Sequence, residues 1–478
     1  MAKSNALPRP ADRWLYAATG GIAALTLWRV MMLWIGRIEL STDEAQYWLW
    51  SQHPSWGEYS KPPLIGWVIA ASTGLLGDSV AAVRLPAPLI HGATALVLLM
   101  LGRRVGGPAL GALAALSYLT MPAVTVGSVL MTTDTPMLLC LALALLAQHR
   151  LAQGGSAPWA ILLGLSVGAG LLAKHAMLYG VAGMALAAAL SPGWRIGRRD
   201  LAIAAAVTLI AVSPHLWWLA ESRFVTMQHM AESGASRGVG VNIPAALRFL
   251  AEQFAVMGPL LFAAFWIALI QADAPDWVLR GAAVVALTIL GIVTAQALFS
   301  HALANWAVGF TVPGCLVATG WMRDRPRFSA VSLLLGLVIA LALPLATRIG
   351  TGWMAADRLA LGRYLGHDAF GAAVADEAAR AGATAVISGD RDVLAALSWY
   401  LRDSRLPVHA APHPGAVRHH WDLKAPLPDP APERLLLVTR NAAPPACAVP
   451  LHEFPAGPGF LQGSVIRLSL ADPGCVRP

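Results

Sequence analysis

The chain has 478 residues, of which 57% are hydrophobic and 13% charged, with 34 Lys and Arg against 26 Asp and Glu. A soluble protein carries about a quarter charged residues, so this composition and a positive mean hydropathy exclude a soluble globular enzyme and indicate a polytopic membrane protein. The net charge of +8 is not a nucleic-acid signature, because membrane proteins concentrate Lys and Arg in the cytoplasmic loops that set their orientation.

Met1 to Arg13 is short, polar and basic, and the apolar run after it lacks a small-residue cleavage site. It reads as a retained first helix with a cytoplasmic N-terminus. A span takes about 20 mostly apolar residues, fewer where neighbouring helices shield it. Spans are predicted at 14–36, 86–102, 108–128, 135–149, 158–173, 176–191, 200–219, 254–271, 280–299, 305–321 and 329–347, about eleven by this window reading. The apolar segment 64–77 is short and enclosed by Pro62-Pro63 and Gly77-Asp78, which predicts a helix lying at the interface. With the N-terminus inside, the basic clusters Arg103-Arg104, Arg150, Arg195 with Arg198-Arg199, Arg280, and Arg323 with Arg325 and Arg327 all fall on the cytoplasmic side. Counting 64–77 as a span would reverse every later cluster, so the charge asymmetry places the C-terminus outside.

The composition changes after residue 347. Residues 348–478 are predicted to form a periplasmic α/β domain following a transmembrane domain, 1–347, whose first outer loop is 37–85. A helix ends near Gly382, and another covers Val393–Leu401. Strands are predicted at Ala385–Ser388, Val408–Ala410, Leu435–Thr439 and Ser464–Leu470. Cys140 and Cys315 lie in apolar spans as packing residues. Cys447 and Cys475 lie in the polar C-terminal region, where an oxidising compartment would allow a disulfide.

The first outer loop holds the residues most suited to chemistry. Asp43 and Glu44 directly follow the first span. Adjacent side chains diverge on a helix or a strand, so the two are not a proton-sharing dyad. One can face a reaction centre while the other holds the loop. The alternative is an N-cap at Ser41 or Thr42 with acids in the first turn. Lys61 precedes Pro62-Pro63, which biases it toward extended backbone at headgroup height, where a cation suits a phosphate. The alternative there is a snorkelling lysine. Asp134, in Met131-Thr-Thr-Asp-Thr-Pro136, sits at a predicted outer junction, either as a second functional acid or as a helix start with Pro in its first turn. Arg84, Lys174-His175, His215, Arg223, His229, Arg237, His301 and Asn305-Trp306 are further outer-face polar groups. No HExxH or paired-Cys motif is present, which leaves a divalent metal open but unsupported. No phosphate-binding glycine loop points to a nucleotide or any other cofactor.

These motifs, in this order, resemble the GT-C glycosyltransferases of glycosyltransferase family 39. The likeness is to the bacterial branch related to protein O-mannosyltransferases and to the aminoarabinose transferase of lipid A. It rests on Asp43-Glu44, Tyr59 to Pro63, Arg84-Leu-Pro86, Thr132 to Pro136, Pro214-His-Leu-Trp-Trp218, Ala304-Asn-Trp306 and His420 to Leu427. The resemblance implies a GT-C fold. It also implies a polyprenyl-phosphate sugar donor, a glycolipid, glycan or protein acceptor engaged on the outer face, and direct displacement with inversion. Asp43 falls at its catalytic acidic position and Asp134 at its second acidic position, with Glu44 a further catalytic candidate. Lys61, Arg84 and either Arg223 or Arg237 fall where the donor phosphate is bound, and Tyr59, Lys174, His229, His301 and Asn305 are candidate substrate contacts. Ser60 stands where a Glu commonly precedes the lysine, which leaves sugar and acceptor identity open. The expected location is the bacterial inner membrane. A transporter or flippase of lipid-linked sugars is the alternative, but transporters place polar residues at mid-membrane between repeats, whereas these acids cluster at predicted outer junctions and no repeat is visible.

Overall fold

A computed structural model of the chain describes residues 10–235, 240–271, 277–404, 406–415 and 417–477. It divides into two compact units. A helical unit comprises residues 1–34, 61–65 and 84–344, and a mixed unit comprises 35–60, 66–83 and 345–478.

The predicted apolar stretches are helical over most of their length. Among the described residues, six helices are long and apolar enough to cross a membrane: Arg13–Ile35, Val80–Gly106, Asp134–Ala152, Arg198–Glu221, Val278–Phe299 and Pro326–Ile349. A seventh results if Ile243–Met257 and Pro259–Ile270, bent by 115°, count together. Gly258 makes that bend with a φ of 96°, a conformation open to glycine. The window reading of about eleven also counts shorter apolar helices, among them Pro108–Leu119, Ala157–Ala173 and Met177–Leu190. The 108–128 stretch is broken after Leu119, and Pro122 starts a new short helix. The 305–321 stretch begins as a 3₁₀ turn, Ala304–Phe310. Segment 64–77 forms one helix, Leu64–Leu76.

Small residues let these helices approach closely, as packing in lipid favours. A Cβ on Gly102 would come within 2.8 Å of the Gly111 Cα, so the Pro86–Gly106 and Pro108–Leu119 helices meet backbone to backbone. The break after Leu119 frees carbonyls that would otherwise be unsatisfied. Arg29, fully buried on the first helix, donates through Nη2 to the Leu119 carbonyl and, at 3.2 Å, to Thr125 Oγ1. A cation inside an apolar helix thereby satisfies a helix end.

The mixed unit is built on a five-stranded sheet: β1 (Ala385–Ser388), β2 (Val408–Ala410), β3 (Leu435–Arg440), β4 (Val449–Pro455) and β5 (Val465–Ala471). Their spatial order is β2-β1-β3-β5-β4. β1 pairs in parallel with both β2 and β3, while β5 pairs antiparallel with β3 and β4. Val386, Leu436 and Val438 face the helices His367–Ala381 and Arg391–Tyr400. Ala385, Ile387, Leu435 and Leu437 fill the opposite face. β1 is buried on both sides, as a central parallel strand requires. The expected strands are all present. β4 was not expected, because Pro450, Pro455 and an exposed pattern disguise an edge strand, the one place where proline is tolerated. Cys447 and Cys475 form a disulfide, and Cys140 and Cys315 are buried and free.

Within this unit the chain leaves β1 through the Arg391–Tyr400 helix to β2 on one side and returns to β3 on the other. The carboxyl ends of β1 and β3 therefore flank a switch point, where open α/β sheets form a crevice. Asp390, Arg391 and Arg440 stand there. The Thr42–Gln52 helix of the first loop belongs to the same unit and packs on the Arg391–Tyr400 helix.

Candidate active site

Each unit gathers part of the candidate set. In the mixed unit, Ser41 caps the Thr42–Gln52 helix, and Glu44 completes a capping box by accepting from the Ser41 backbone N–H at 3.1 Å. Ser41 Oγ lies 3.0 Å from the same carboxylate oxygen. The capping alternative thus describes Glu44, whose side chain is buried at this helix start. Asp43 faces elsewhere and stays half exposed, as adjacent helical positions must diverge. Arg391 Nη2 donates to Asp43 Oδ1, and Arg363 Nη2 donates to Oδ2 at 3.3 Å. Arg391 also holds Gln46 Oε1 at 2.8 Å, and Thr42 Oγ1 donates to Asp392 Oδ1 at 2.9 Å. Tyr59 is buried and shares its hydroxyl proton between the Val417 and Arg418 carbonyls at 3.2 and 2.9 Å, so it ties the first loop to the C-terminal segment.

The tail motif packs below this. Glu58 and His420 are both buried, with Oε2 and Nδ1 3.9 Å apart, too far for a hydrogen bond. Burial pushes the Glu58 carboxyl up to about 7, against the lowering effects of the Ser55 hydroxyl and Lys424. Burial, then the charges of Lys424 and His419, lower His420 to about 3. Both groups are therefore neutral a little below pH 7, and an ion pair between them is absent. Asp422 accepts from Arg418 Nε at 3.0 Å and Nη2 at 2.9 Å. Burial disfavours its charge, but the Arg418 bonds and His419 outweigh that and hold the carboxyl below its ordinary range.

In the helical unit, Asp134 begins the Asp134–Ala152 helix and makes an ion pair with Lys174, Nζ to Oδ1 2.7 Å, with both side chains largely shielded from water at 15% and 17% exposure. Lys174 ends the Ala157–Ala173 helix in extended backbone, which aims the following turn back toward Asp134. His175 in that turn stacks on His215, their Nε2 atoms 3.3 Å apart, and Trp218 stacks on the other side of His215. Burial lowers His175 to about 4, helped by His215 and by the positive charge of Lys61 nearby. Lys61, Lys174, His175, His215 and Asp134 thus share one polar region, a grouping that their scatter in sequence does not announce. Met137 and Leu141, one and two turns beyond Asp134, line an apolar recess with Met177, Tyr179, Ile289 and Trp306.

Arg84 is buried at the end of the Val80–Arg84 turn. His301 packs on Trp306, ring centroids 5.3 Å apart, and Asn305 is exposed in the 3₁₀ turn. His229 is half buried on the Val225–Ala235 helix. Arg223 is exposed in a left-handed turn with a φ of 53°. Arg237 lies outside the described residues. Among the described residues, no group of three or more His, Cys, Asp or Glu is placed to hold a metal. Arg391 and Arg363 were missed from sequence, because arginines more than 300 residues downstream carry no local sign that they meet Asp43.

Comparisons with known proteins agree on the class. Residues 60–218 match the family model described as dolichyl-phosphate-mannose-protein mannosyltransferase. The fold is that of ArnT from Cupriavidus metallidurans, solved bound to undecaprenyl phosphate, with a TM-score of 0.68 and 16% identity over 96% of this chain and 98% of that one. The fold is thus that of GT-C membrane glycosyltransferases. The chain is 34% identical to the lipid A galacturonosyltransferase RgtD of Rhizobium johnstonii, over 96% of this chain and 98% of that protein, and it belongs to that glycosyltransferase family. It is also 28% identical to the lipopolysaccharide core galacturonosyltransferase RgtA of the same organism, over 47% of each chain. It is a multi-pass protein of the bacterial inner membrane.

Proposed function

We propose that the protein moves a hexuronic acid, galacturonic acid first among them, from a polyprenyl-phosphate carrier onto lipid A at the outer face of the inner membrane. The observation that carries this is the 34% identity to a lipid A galacturonosyltransferase along nearly the whole of both chains. A solved relative of the same fold bound to undecaprenyl phosphate supports the donor type. The N-terminus then lies in the cytoplasm, and the mixed unit lies in the periplasm, where its Cys447–Cys475 disulfide suits an oxidising compartment.

In this reading Lys61 meets the donor phosphate and stabilises the charge that develops as the carrier departs, an electrostatic effect strongest where water is scarce. Lys174, held by Asp134, adds positive potential in the same region, which suits a donor that carries both a phosphate and a sugar carboxylate. Asp43 orients the attacking acceptor hydroxyl toward the anomeric carbon and takes its proton as general base. The new glycosidic bond forms as the bond to the carrier phosphate breaks, with inversion.

The test uses purified full-length protein with polyprenyl-phosphate galacturonic acid and lipid A, read by mass spectrometry of the lipid product. Asp43→Asn should lower kcat by about 10²–10³-fold, the scale of losing one oriented catalytic group. Lys61→Ala should act mainly by weakening donor use. No uronic acid transfer by the unmodified protein would reject the substrate assignment, and full activity in both variants would reject the site.

A further inference from the structure

The Asp43 carboxylate is not left to its own helix. Each of its oxygens accepts from a different guanidinium, Arg391 on Oδ1 and Arg363 on Oδ2, and both arginines come from the segment that follows the last long apolar helix. Arg391 opens the Arg391–Tyr400 helix at the switch point of the sheet, the place where a doubly wound sheet ordinarily holds a ligand. In this protein that crevice holds the start of the Thr42–Gln52 helix instead. The fit uses the whole local surface. Thr42 Oγ1 donates to Asp392, Arg391 Nε donates to Gln46, and Arg440 braces Asp392 at 2.9 Å and Asp390 at 3.5 Å. Below it, Trp48 and Trp399 pack edge to face with centroids 4.8 Å apart.

We infer that Arg391 is a positioning residue for glycosyl transfer, with Arg363 as its weaker partner: together they hold the orientation of the Asp43 carboxylate. This rests on the reading of Asp43 proposed above. Arg391 suits the task because its planar fork reaches Gln46 and Asp43 at once, which a lysine ammonium cannot match in geometry. The sheet unit is then part of the catalytic apparatus, since the group that orients Asp43 is mounted on it.

The experiment compares steady-state kinetics of full-length variants with polyprenyl-phosphate galacturonic acid and lipid A. Arg391→Gln should lower kcat by about 10–100-fold, the scale of displacing a reacting group by about 1 Å, with donor KM changed by less than about twofold. Arg391→Lys should recover part of the loss, and Arg363→Gln should lose less. In an Asp43→Asn background, Arg391→Gln should change kcat by less than about twofold, because the group it positions is gone. Asp392→Asn loosens the same docked surface without touching Asp43 and serves as the control. An Asp392→Asn loss equal to that of Arg391→Gln would show that docking alone matters and would overturn the inference. So would an unaltered kcat in Arg391→Gln, or a loss that adds fully to that of Asp43→Asn. If Asp43→Asn is inactive and Arg391→Gln is not, only this inference fails. If Asp43→Asn is fully active, the reading beneath it fails as well.

Discussion

The Asp134–Lys174 ion pair separates a structural role from a chemical one. At 2.7 Å and an effective dielectric of about 20, the attraction is about 6 kcal/mol. Withdrawing each ion from water costs several kcal/mol, so the intact pair contributes little net stability. Removing one partner is different, because the other charge stays in a site only 15–17% exposed without its ion-pair partner. Such breaks cost about 3–5 kcal/mol, and the residual exposure favours the lower end, about 3 kcal/mol. At about 2.1 cal/mol/K of unfolding entropy per residue, that lowers the melting temperature of the helical unit, about 300 residues, by about 5 °C. Asp134→Asn and Lys174→Met should each show this shift in tryptophan-fluorescence melting of detergent-solubilised protein. The double variant Asp134→Leu with Lys174→Met should melt near the wild type, since replacing a buried pair by apolar groups is often neutral. All three variants should lose transfer if the pair serves the donor. A single variant that melts with the wild type would refute the energetic argument, and a stable, fully active double variant would refute the functional one.

The mixed unit should show two further dependences. In an unfolded chain Glu58 titrates near 4.5, whereas burial raises it to about 7 in the folded state. The folded state therefore holds that proton more tightly, and stability falls as pH rises from about 4.5 to about 7, by about 3 kcal/mol in total. Glu58→Gln should remove this loss and make the unit more stable than wild type at pH 8 by urea titration. An unchanged pH dependence would show that the carboxyl is not buried as described. The Cys447–Cys475 bond closes a loop with a sequence separation of 28, worth about 3.5 kcal/mol by loop-closure entropy. Cys447→Ser with Cys475→Ser should lower the denaturation midpoint of the unit accordingly while the helical unit melts as before, and equal midpoints would contradict the assignment.

Much of the molecule can be read along the chain because local rules govern it. Apolar runs mark the helices, prolines at 86, 108, 122 and 259 mark where helices start, and short apolar runs mark β1, β3 and β5. A carboxylate pair after the first apolar helix and a lysine before two prolines single out the first loop. β4 escaped because an edge strand bears prolines and polar residues that read as loop. Hydropathy alone does not fix the number of spans, because helices shielded by others can be short or broken.

Sequence by itself determined the class of protein, the two kinds of architecture and the residue types suited to a lipid-linked phosphate. These depend on composition and on spacing within one helix or strand. Only the tertiary structure decided that Glu44 is spent on a helix cap, that Lys174 belongs to Asp134, that Arg29 serves a helix end, and that Asp43 is gripped by Arg391 and Arg363. Each of those is a long-range choice of partner or a competition for one carboxylate. Such choices follow from which surfaces bury one another, and no periodicity along the chain encodes them.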